Sequence, residues 1–220
     1  YYPGLGNFEG TGGWSSAKQM AAEYDRHQAR FAPLYANLAH QDVAALHQDR
    51  LAQQVGRRLF VNNCATCHGS TAQGSPGFPN LTDSEWIWGR SFEDVKHTLT
   101  FGRVAAMAPW GPALGDQGVA DVTQTVLRMA GKDHDPAAAE RGSESYRTFC
   151  VACHGVDGKG NAALGAPDLT NDIWLYGGDA ATIASTIREG RMGNMPSQAD
   201  MLTPEKIHIL AAYVTALSKP

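Results

Sequence analysis

Apolar residues recur at helical spacing in six segments of the chain, and loops rich in glycine and proline separate them. The segments form two sets of three, which cover residues 50–63, 92–100 and 119–129 and then residues 137–149, 180–188 and 204–217. Thr203 followed by Pro204 is a signal for the start of the last helix, with Thr203 as its cap. The alternation of apolar and polar residues that is typical of strands is absent. The pattern predicts an all-α protein.

The two sets of helices belong to two copies of one unit. At an offset of 86 residues, Gly69 and Gly74 match Gly155 and Gly160, and after two extra residues the offset becomes 88. The matches at the second offset are Pro79-Asn80-Leu81-Thr82 with Pro167-Asp168-Leu169-Thr170, Trp86 with Trp174, Gly89 with Gly177, and Gly102-Arg103 with Gly190-Arg191. A repeat of this length indicates tandem domains. We place them at residues 50–131 and 139–220, with a polar linker at residues 132–138.

Residues 1–49 lie outside the repeat and form a predicted N-terminal extension. Residues 15–32 have helical spacing, with Met20, Tyr24 and Phe31 as candidate apolar contacts. Pro33 is expected to end this helix, because proline lacks the backbone N–H that a helix interior needs. The extension is expected to lie across one or both of the repeated domains.

Composition and charge narrow the class of protein. The chain has 220 residues, of which 43% are hydrophobic and 18% are charged, as in folded globular proteins. The net charge of −4 excludes a strongly basic protein and argues against a nucleic-acid partner. The longest apolar stretch, at residues 207–217, is too short for a membrane span. Each unit has only about 80 residues, a size at which a core of side chains alone is marginally stable.

All four cysteines fall into two Cys-x-x-Cys-His motifs. The motifs are Cys64-Ala65-Thr66-Cys67-His68 and Cys150-Val151-Ala152-Cys153-His154. Residues three apart share one face of a helix, so two thiols can each form a thioether with one haem vinyl group. The histidine that follows can then supply a nitrogen to the iron. The motifs therefore predict two covalently attached haem c groups, with His68 and His154 as iron ligands. Attachment of this type is normally completed outside the cytoplasm, so we expect a periplasmic location.

A zinc site and a redox dithiol are the alternative interpretations of a Cys-x-x-Cys pair. A zinc site would have to bring together two pairs that lie 86 residues apart. Neither alternative explains why a histidine follows each pair.

Two methionines in equivalent loops are the candidate second ligands of the irons. Met107 and Met195 each lie four residues after a repeated arginine, and they follow the histidines of their own copies by 39 and 41 residues. A thioether opposite histidine raises the reduction potential of a haem and suits electron transfer. We expect Met107 to complete the first haem and Met195 to complete the second. Ordinary core packing is the alternative role, and only Met195 is followed directly by proline.

Other candidate ligands have no counterpart in the second copy. His97 stands where copy two has Ser185, which leaves open a first haem with two histidine ligands. Residues expected to be core or surface side chains are Met129, Met192, Met201, His27, His40, His47, His134 and His208. Arg103 and Arg191 are candidates for pairing with haem propionates, because a guanidinium group matches carboxylate geometry. Surface ion pairs are the alternative for these two arginines.

The N-terminal stretch adds a family resemblance to this interpretation. Residues Tyr2-Pro3-Gly4-Leu5-Gly6-Asn7-Phe8 and Gly13-Trp14, together with the two units, resemble the dihaem subunit of cbb3-type cytochrome c oxidases. The resemblance covers essentially the whole chain, and the N-terminal stretch is its most specific part. It implies haem domains in the periplasm behind a membrane anchor, so we expect the chain to be the periplasmic part of a subunit of the bacterial inner membrane. It also implies other oxidase subunits as partners, and a role in passing electrons from a soluble cytochrome c donor toward the haem-copper subunit.

Two other functions compete with this one. A free-standing dihaem shuttle similar to cytochrome c4 shares the two units but leaves residues 1–49 unexplained. A dihaem peroxidase needs an iron with an open sixth position, which the two methionines argue against. We expect the chain alone to be an electron-transfer protein with no catalytic residues. Residues 132–220 carry a net charge of −3, which favours docking of a basic donor there.

Overall fold

A computed structural model describes residues 4–218. In this part of the chain the helices are α1 (Ser16–Ala39), α2 (Val43–Gln48), α3 (Arg50–Asn63), α4 (Ala65–His68), α5 (Phe92–Phe101), α6 (Gly111–Met129), α7 (Pro136–Phe149), α8 (Val151–His154), α9 (Ala180–Glu189) and α10 (Pro204–Leu217). The strands are β1 (Gly4–Leu5), β2 (Phe8–Glu9), β3 (Arg103–Met107) and β4 (Arg191–Met195). The molecule is mainly helical, which confirms the predicted fold class.

Five of the six predicted helices begin and end within one residue of their predicted limits. The main reason is side-chain capping, in which a carboxylate or hydroxyl oxygen accepts a hydrogen bond from a backbone N–H of the first turn. Asp49 caps α3 through Leu51 N at 2.7 Å, and Asp135 caps α7 through Ala137 N at 2.8 Å. Thr203 stands at the cap position of α10, but its hydroxyl makes no capping hydrogen bond there.

Two helices differ from the prediction. Helix α1 continues through Pro33 to Ala39, so the expectation that this proline ends the helix is wrong. Pro33 is exposed, while Leu34, Tyr35 and Leu38 beyond it pack into a hydrophobic core. Burial of those side chains offsets the cost of a proline in a helix interior, about 3 kcal/mol. Helix α6 begins at Gly111, earlier than expected, and is kinked at Gly115, where φ is +64°.

Strands β3 and β4 were not predicted, and they join the two copies of the repeat. They form an antiparallel pair in which Arg103 lies opposite Met195 and Met107 lies opposite Arg191. The alternating side chains of both strands are half-buried and exposed in turn. One face of this ribbon therefore carries Arg103 and Met107, with the matching residues of β4, toward the interior. The other face is exposed to solvent.

The chain crosses between the copies on each side of this ribbon. After β3, the backbone N–H of Trp110 donates to the carbonyl of Ile187 in copy two at 2.9 Å. After β4, the N–H of Gln198 donates to the carbonyl of Leu99 in copy one at 2.8 Å. As a result, α6 of copy one packs against α7 and α9 of copy two, and α10 of copy two packs against α3 and α5 of copy one. The final helix of each copy therefore packs on the other copy and not on its own.

Each crossing of helices depends on a glycine. A Cβ atom at Gly56 of α3 would lie 2.4 Å from Cβ of Tyr213 of α10, and one at Gly142 of α7 would lie 2.2 Å from the carbonyl oxygen of Asp121 of α6. Gly56 and Gly142 are equivalent positions of the repeat. The two copies therefore use the same glycine for the same close approach, but each receives the helix of the other copy.

The exchange creates two hydrophobic cores of mixed origin. The first core contains residues of α1, α2, α3 and α5 together with Ile207, Leu210 and Val214 of α10. The second contains residues of α7 and α9 together with Val119, Val122 and Val126 of α6. Among residues 4–218, none of the helices combines the length and the apolar character needed to cross a bilayer.

Candidate haem sites

Each Cys-x-x-Cys-His motif forms a short helical turn directly after a long helix. Cys64 ends α3 and Cys150 ends α7, and both thiols are buried in the cores. Cys67 and Cys153 are exposed. Burial raises the pKa of the Cys64 and Cys150 thiols to about 11, so both are neutral thiols in the unmodified chain at neutral pH. The cysteines are unbridged, and both pairs have the helical spacing that attachment of one haem requires.

The two histidines are buried and held in the same orientation. His68 is 7% exposed and His154 is 9% exposed. The Nδ1 atom of His68 lies 3.0 Å from the carbonyl oxygen of Pro79, and that of His154 lies 3.1 Å from the carbonyl oxygen of Pro167. A carbonyl oxygen only accepts, so Nδ1 carries the proton and Nε2 keeps its lone pair for a metal. Burial also lowers the pKa of His154, which favours the neutral form that binds iron.

The methionines lie in the opposite cores from those expected. Met195 packs against the core that contains Cys64, and Met107 packs against the core that contains Cys150. The structure therefore places Met195 at the core beside the first motif, which contains His68, and Met107 at the core beside the second motif, which contains His154. The expected pairing, in which each methionine serves its own copy, is wrong because β3 and β4 cross between the copies.

Of the alternative ligands, Met129 packs against the second core, and the others described here lie outside both cores. Met192 is 76% exposed. Successive side chains of a strand point to opposite faces, and Met192 lies three positions from Met195, so it lies on the solvent face of the ribbon. His97 is exposed and stacks on Phe101 of the same helix, with ring centroids 4.7 Å apart. The exposed histidines of the N-terminal extension are His27, His40 and His47. Within residues 4–218 no group of three histidine, cysteine or acidic side chains is placed to hold a metal ion, which argues against the zinc alternative.

Arg103 and Arg191 form matching arrangements in the two copies. The Nε atom of Arg103 donates to the Thr98 hydroxyl at 2.9 Å, and that of Arg191 donates to the Thr186 hydroxyl at 2.9 Å. Arg103 also stacks over the ring of Trp88, at 4.9 Å from its centroid. Arg191 stacks over the ring of Tyr176 in the same way, at 4.6 Å. Both guanidinium groups are thus fixed on the inner face of the ribbon.

Two buried polar atoms in copy two lack partners and fit a bound anionic group. The indole N–H of Trp174 and the side-chain amide nitrogen of Asn171 are buried without a hydrogen-bond partner among the described residues. The equivalent Trp86 of copy one instead donates to the carbonyl oxygen of Asp83 at 3.2 Å. A buried donor without an acceptor is costly, so the site fits a group that supplies one. The propionates of a haem have this chemistry, and the residues present are consistent with a haem.

Sequence reasoning named the candidate haem-binding side chains but missed the atoms that orient them. The carbonyl oxygens of Pro79 and Pro167 belong to the repeated Pro-x-Leu-Thr stretches, and Thr98 and Thr186 each precede a repeated arginine by five residues. The repeat was the available signal for all four. Tyr146, whose hydroxyl donates to the carbonyl oxygen of Gly155 at 2.9 Å, gave no such signal, because copy one has Phe60 at this position.

Comparison with known proteins agrees with this geometry. The family model described as cytochrome c oxidase, cbb3-type, subunit III, matches residues 52–124 and 137–214. The chain belongs to this family. The two matched segments are the two copies of the repeat, and the cytochrome c domains of this family imply covalently bound haem c.

Several relatives match nearly the whole chain. The cbb3-type cytochrome c oxidase subunit CcoP of Rubrivivax gelatinosus is 46% identical over 219 residues, which are 99% of this chain and 72% of the relative. The subunit FixP of Azorhizobium caulinodans is 35% identical over 98% of this chain and 78% of its own length. The subunit CcoP of Cereibacter sphaeroides is 36% identical over 96% of this chain and 78% of its own length.

Proposed function

We propose that this chain holds two covalent haem c groups and relays electrons between them within a cbb3-type cytochrome c oxidase. The observation that carries the proposal is the pair of buried histidines whose Nδ1 atoms are held by backbone carbonyls. Each has a Cys-x-x-Cys pair directly before it and a methionine packed into its core. Bound haem would supply an iron that changes between the ferric and ferrous states with one electron.

The side chains have separate roles in this proposal. Thioether bonds from Cys64 and Cys67 hold the first haem, and those from Cys150 and Cys153 hold the second. The iron ligands are His68 with Met195 at the first site and His154 with Met107 at the second. Arg103 and Arg191, fixed by their threonines and aromatic rings, face the propionates. Trp174 and Asn171 would supply hydrogen bonds to a propionate of the second haem.

The repeat of the sequence divides the chain into residues 50–131 and 139–220, with a linker at residues 132–138. We propose these two units as the domains of the protein. Each haem site draws its helices from both units, since α6 and α10 are exchanged. Met107 and Met195 lie on the same face of one ribbon, toward its two opposite ends, so that ribbon carries a candidate ligand for each site. A fixed ribbon of this type suits a relay, because it keeps both irons in one rigid frame.

The relatives, which are named as cbb3-type oxidase subunits, support the proposal that the partners are other oxidase subunits. We place the chain in the periplasm, anchored at the bacterial inner membrane in the full-length protein, beside the other oxidase subunits. A soluble cytochrome c would donate electrons, and the acidic second unit favours a basic donor. The chain itself would carry out electron transfer and leave the reduction of oxygen to another subunit.

Absorption and electron paramagnetic resonance spectra of the haem-loaded protein test this function. We expect two haems per chain, two low-spin irons with histidine and methionine ligands, and no binding of carbon monoxide by the reduced protein. A high-spin iron that binds carbon monoxide would contradict the relay and favour a peroxidase. Purification of the full-length protein without any other oxidase subunit would instead favour a free-standing shuttle.

A further inference from the structure

A carboxyl group of copy one lies in the wall of a cavity that both copies line. The cavity has a volume of about 280 Å³. Glu85, in the loop between α4 and α5, lines it together with Arg90 from the same loop. Copy two contributes Lys159, Pro167 and Asp168 from the loop after α8. The cavity is thus a contact between the two copies that neither helix exchange nor the ribbon explains.

The surroundings of Glu85 are charged and partly dry. Asp168, the nearest acid of copy two, pairs with Lys159 at 3.3 Å and accepts a hydrogen bond from the hydroxyl of Thr170 at 2.7 Å. Burial, and then the negative charge of Asp168, raise the pKa of Glu85, with a smaller contribution from Asp83. Asn171 and Lys159 act in the opposite direction. Together with Arg90, these are the titratable, charged and amide groups that face Glu85 from both copies.

The cavity lies directly behind the second haem site. Pro167, in the cavity wall, supplies the carbonyl oxygen that lies 3.1 Å from Nδ1 of His154. Asp168 is the next residue in the chain. A negative charge near this acceptor strengthens the hydrogen bond from the imidazole and makes the imidazole a stronger electron donor to a metal. A charge on Glu85 would therefore act on the second site across the cavity, through the segment of Pro167 and Asp168.

The two copies differ at this position. The residue of copy two that is equivalent to Glu85, at the offset of 88, is Ile173. The first haem site therefore has no carboxyl group at the matching place. Because only copy one has a carboxyl group at this position, we expect the two haem sites to differ in their dependence on pH.

We propose that Glu85 is a redox-linked proton site for the second haem. It takes up a proton from water when the iron at that site gains an electron, and it returns the proton to water when the iron loses the electron. This inference rests on the proposed function, because it requires haem at the second site. A carboxylate stabilises the ferric state more than the ferrous state, so the reduction potential of one haem falls as pH rises through the pKa of Glu85. The affected pH range lies above the ordinary value for glutamate, because the pKa is raised.

The test is a spectroelectrochemical titration of both haems in the full haem-loaded chain between pH 5 and pH 9. We expect one of the two haems to show the larger pH dependence, with at most a tenfold change in its reduction equilibrium constant for each pH unit. In Glu85→Gln that dependence is reduced, while the other haem is unchanged. The matched control is Glu144→Gln, which alters an exposed glutamate of α7 and leaves both haems unchanged. Infrared difference spectra on reduction should show a protonated carboxyl band that Glu85→Gln removes.

A gain of function completes the test. Ile173→Glu places a carboxyl at the equivalent position, and we expect the reduction potential of the first haem to become dependent on pH as well. Equal pH dependence in Glu85→Gln and the parent chain, with both irons still low-spin, would overturn the inference and leave the relay intact. A high-spin iron in the parent chain would instead overturn the proposed function. Far-ultraviolet circular dichroism of each variant confirms that its helices have formed.

Discussion

Met195 packs against the core that contains Cys64, although the two residues belong to different copies of the repeat. Met107 makes the reciprocal contact with the core that contains Cys150. Both contacts follow from the antiparallel pairing of β3 with β4, which turns each methionine toward the other copy. The two candidate haem sites are therefore composite, and the side chains that surround each one come from two distant parts of the chain.

Single-haem variants can assign each methionine to its iron. In a chain with Cys150→Ala and Cys153→Ala, only the first haem remains covalently attached. We expect Met195→Ala in this background to abolish the absorption band of sulfur bound to ferric iron and to allow carbon monoxide binding. The same background with Met107→Ala should keep the band. The reverse pattern would mean that each copy uses its own methionine.

The crossing of α6 and α7 should be sensitive to one methyl group. Gly142→Ala would place Cβ 2.2 Å from the backbone oxygen of Asp121, which cannot move without displacing α6. We expect a loss of about 1–3 kcal/mol in the free energy of unfolding, the usual cost of overpacking a core. Gly12→Ala is the control, because nothing lies within 4 Å of its Cβ position. Chemical denaturation of both variants measures the difference, and equal stability would show that the helices can separate at no cost.

Tyr146 should give the protein an alkaline limit of stability. Burial is the main reason why the pKa of its hydroxyl is raised, to about 12, from the ordinary value of 10.0. Because the folded-state pKa is the higher one, this stabilisation is complete below pH 10 and is lost as pH rises toward 12. Tyr146→Phe should remove that loss and also cost about 1 kcal/mol at neutral pH, through the hydrogen bond to Gly155. Thermal unfolding between pH 7 and pH 11 provides the measurement.

The matched variant for this prediction is Tyr24→Phe, at an exposed position of α1. It should leave both the neutral stability and the alkaline limit unchanged. An unchanged alkaline limit in Tyr146→Phe would mean that another group controls unfolding at high pH.

A strained residue distinguishes the two loops that follow the haem motifs. Ala72 is buried and has φ of +63°, whereas the equivalent Gly158 has φ of +74°. An L residue in this region costs about 1–2 kcal/mol, so we expect Ala72→Gly to be neutral or stabilising. Gly158→Ala should be destabilising, because its Cβ would also lie 3.1 Å from the sulfur of Met129. Urea midpoints of the two variants should shift in opposite directions or by clearly different amounts, and equal losses would contradict the strain.

The local structure was predictable because its causes lie in short segments. The limits of α3 and α10 follow from a capping residue or a proline at the first turn, and the cysteine spacing selects the haem motif. The effect of Pro33 on α1 could not be predicted in the same way. The free-energy cost of a proline in the helix is offset by the contacts of Leu34 and Leu38 with α10, which is distant in the sequence. Local preference decides a helix end only where no tertiary contact opposes it.

The exchange of helices could not be predicted from a repeated sequence. Tyr213 of α10 lies close to Gly56 of α3. The matching residues of the repeat are Thr125 of α6 and Gly142 of α7, and they also lie close together. The matching positions do not distinguish a final helix that packs on its own copy from one that packs on the other. The choice depends on the direction that the chain takes after Gly102 and Gly190, and on the pairing of β3 with β4. Glu85 was missed for the same reason, since its neighbours belong to the other copy.

The exchanged position of α10 has a consequence for how the protein matures in the cell. The ribosome makes α10 after every other element of residues 4–218, so the first Cys-x-x-Cys-His motif is complete long before the helix that covers it. The second motif, in contrast, is made after its covering helix α6. Loss of α10, by proteolysis or a premature stop codon, would therefore open the core around His68 and leave the core around His154 covered.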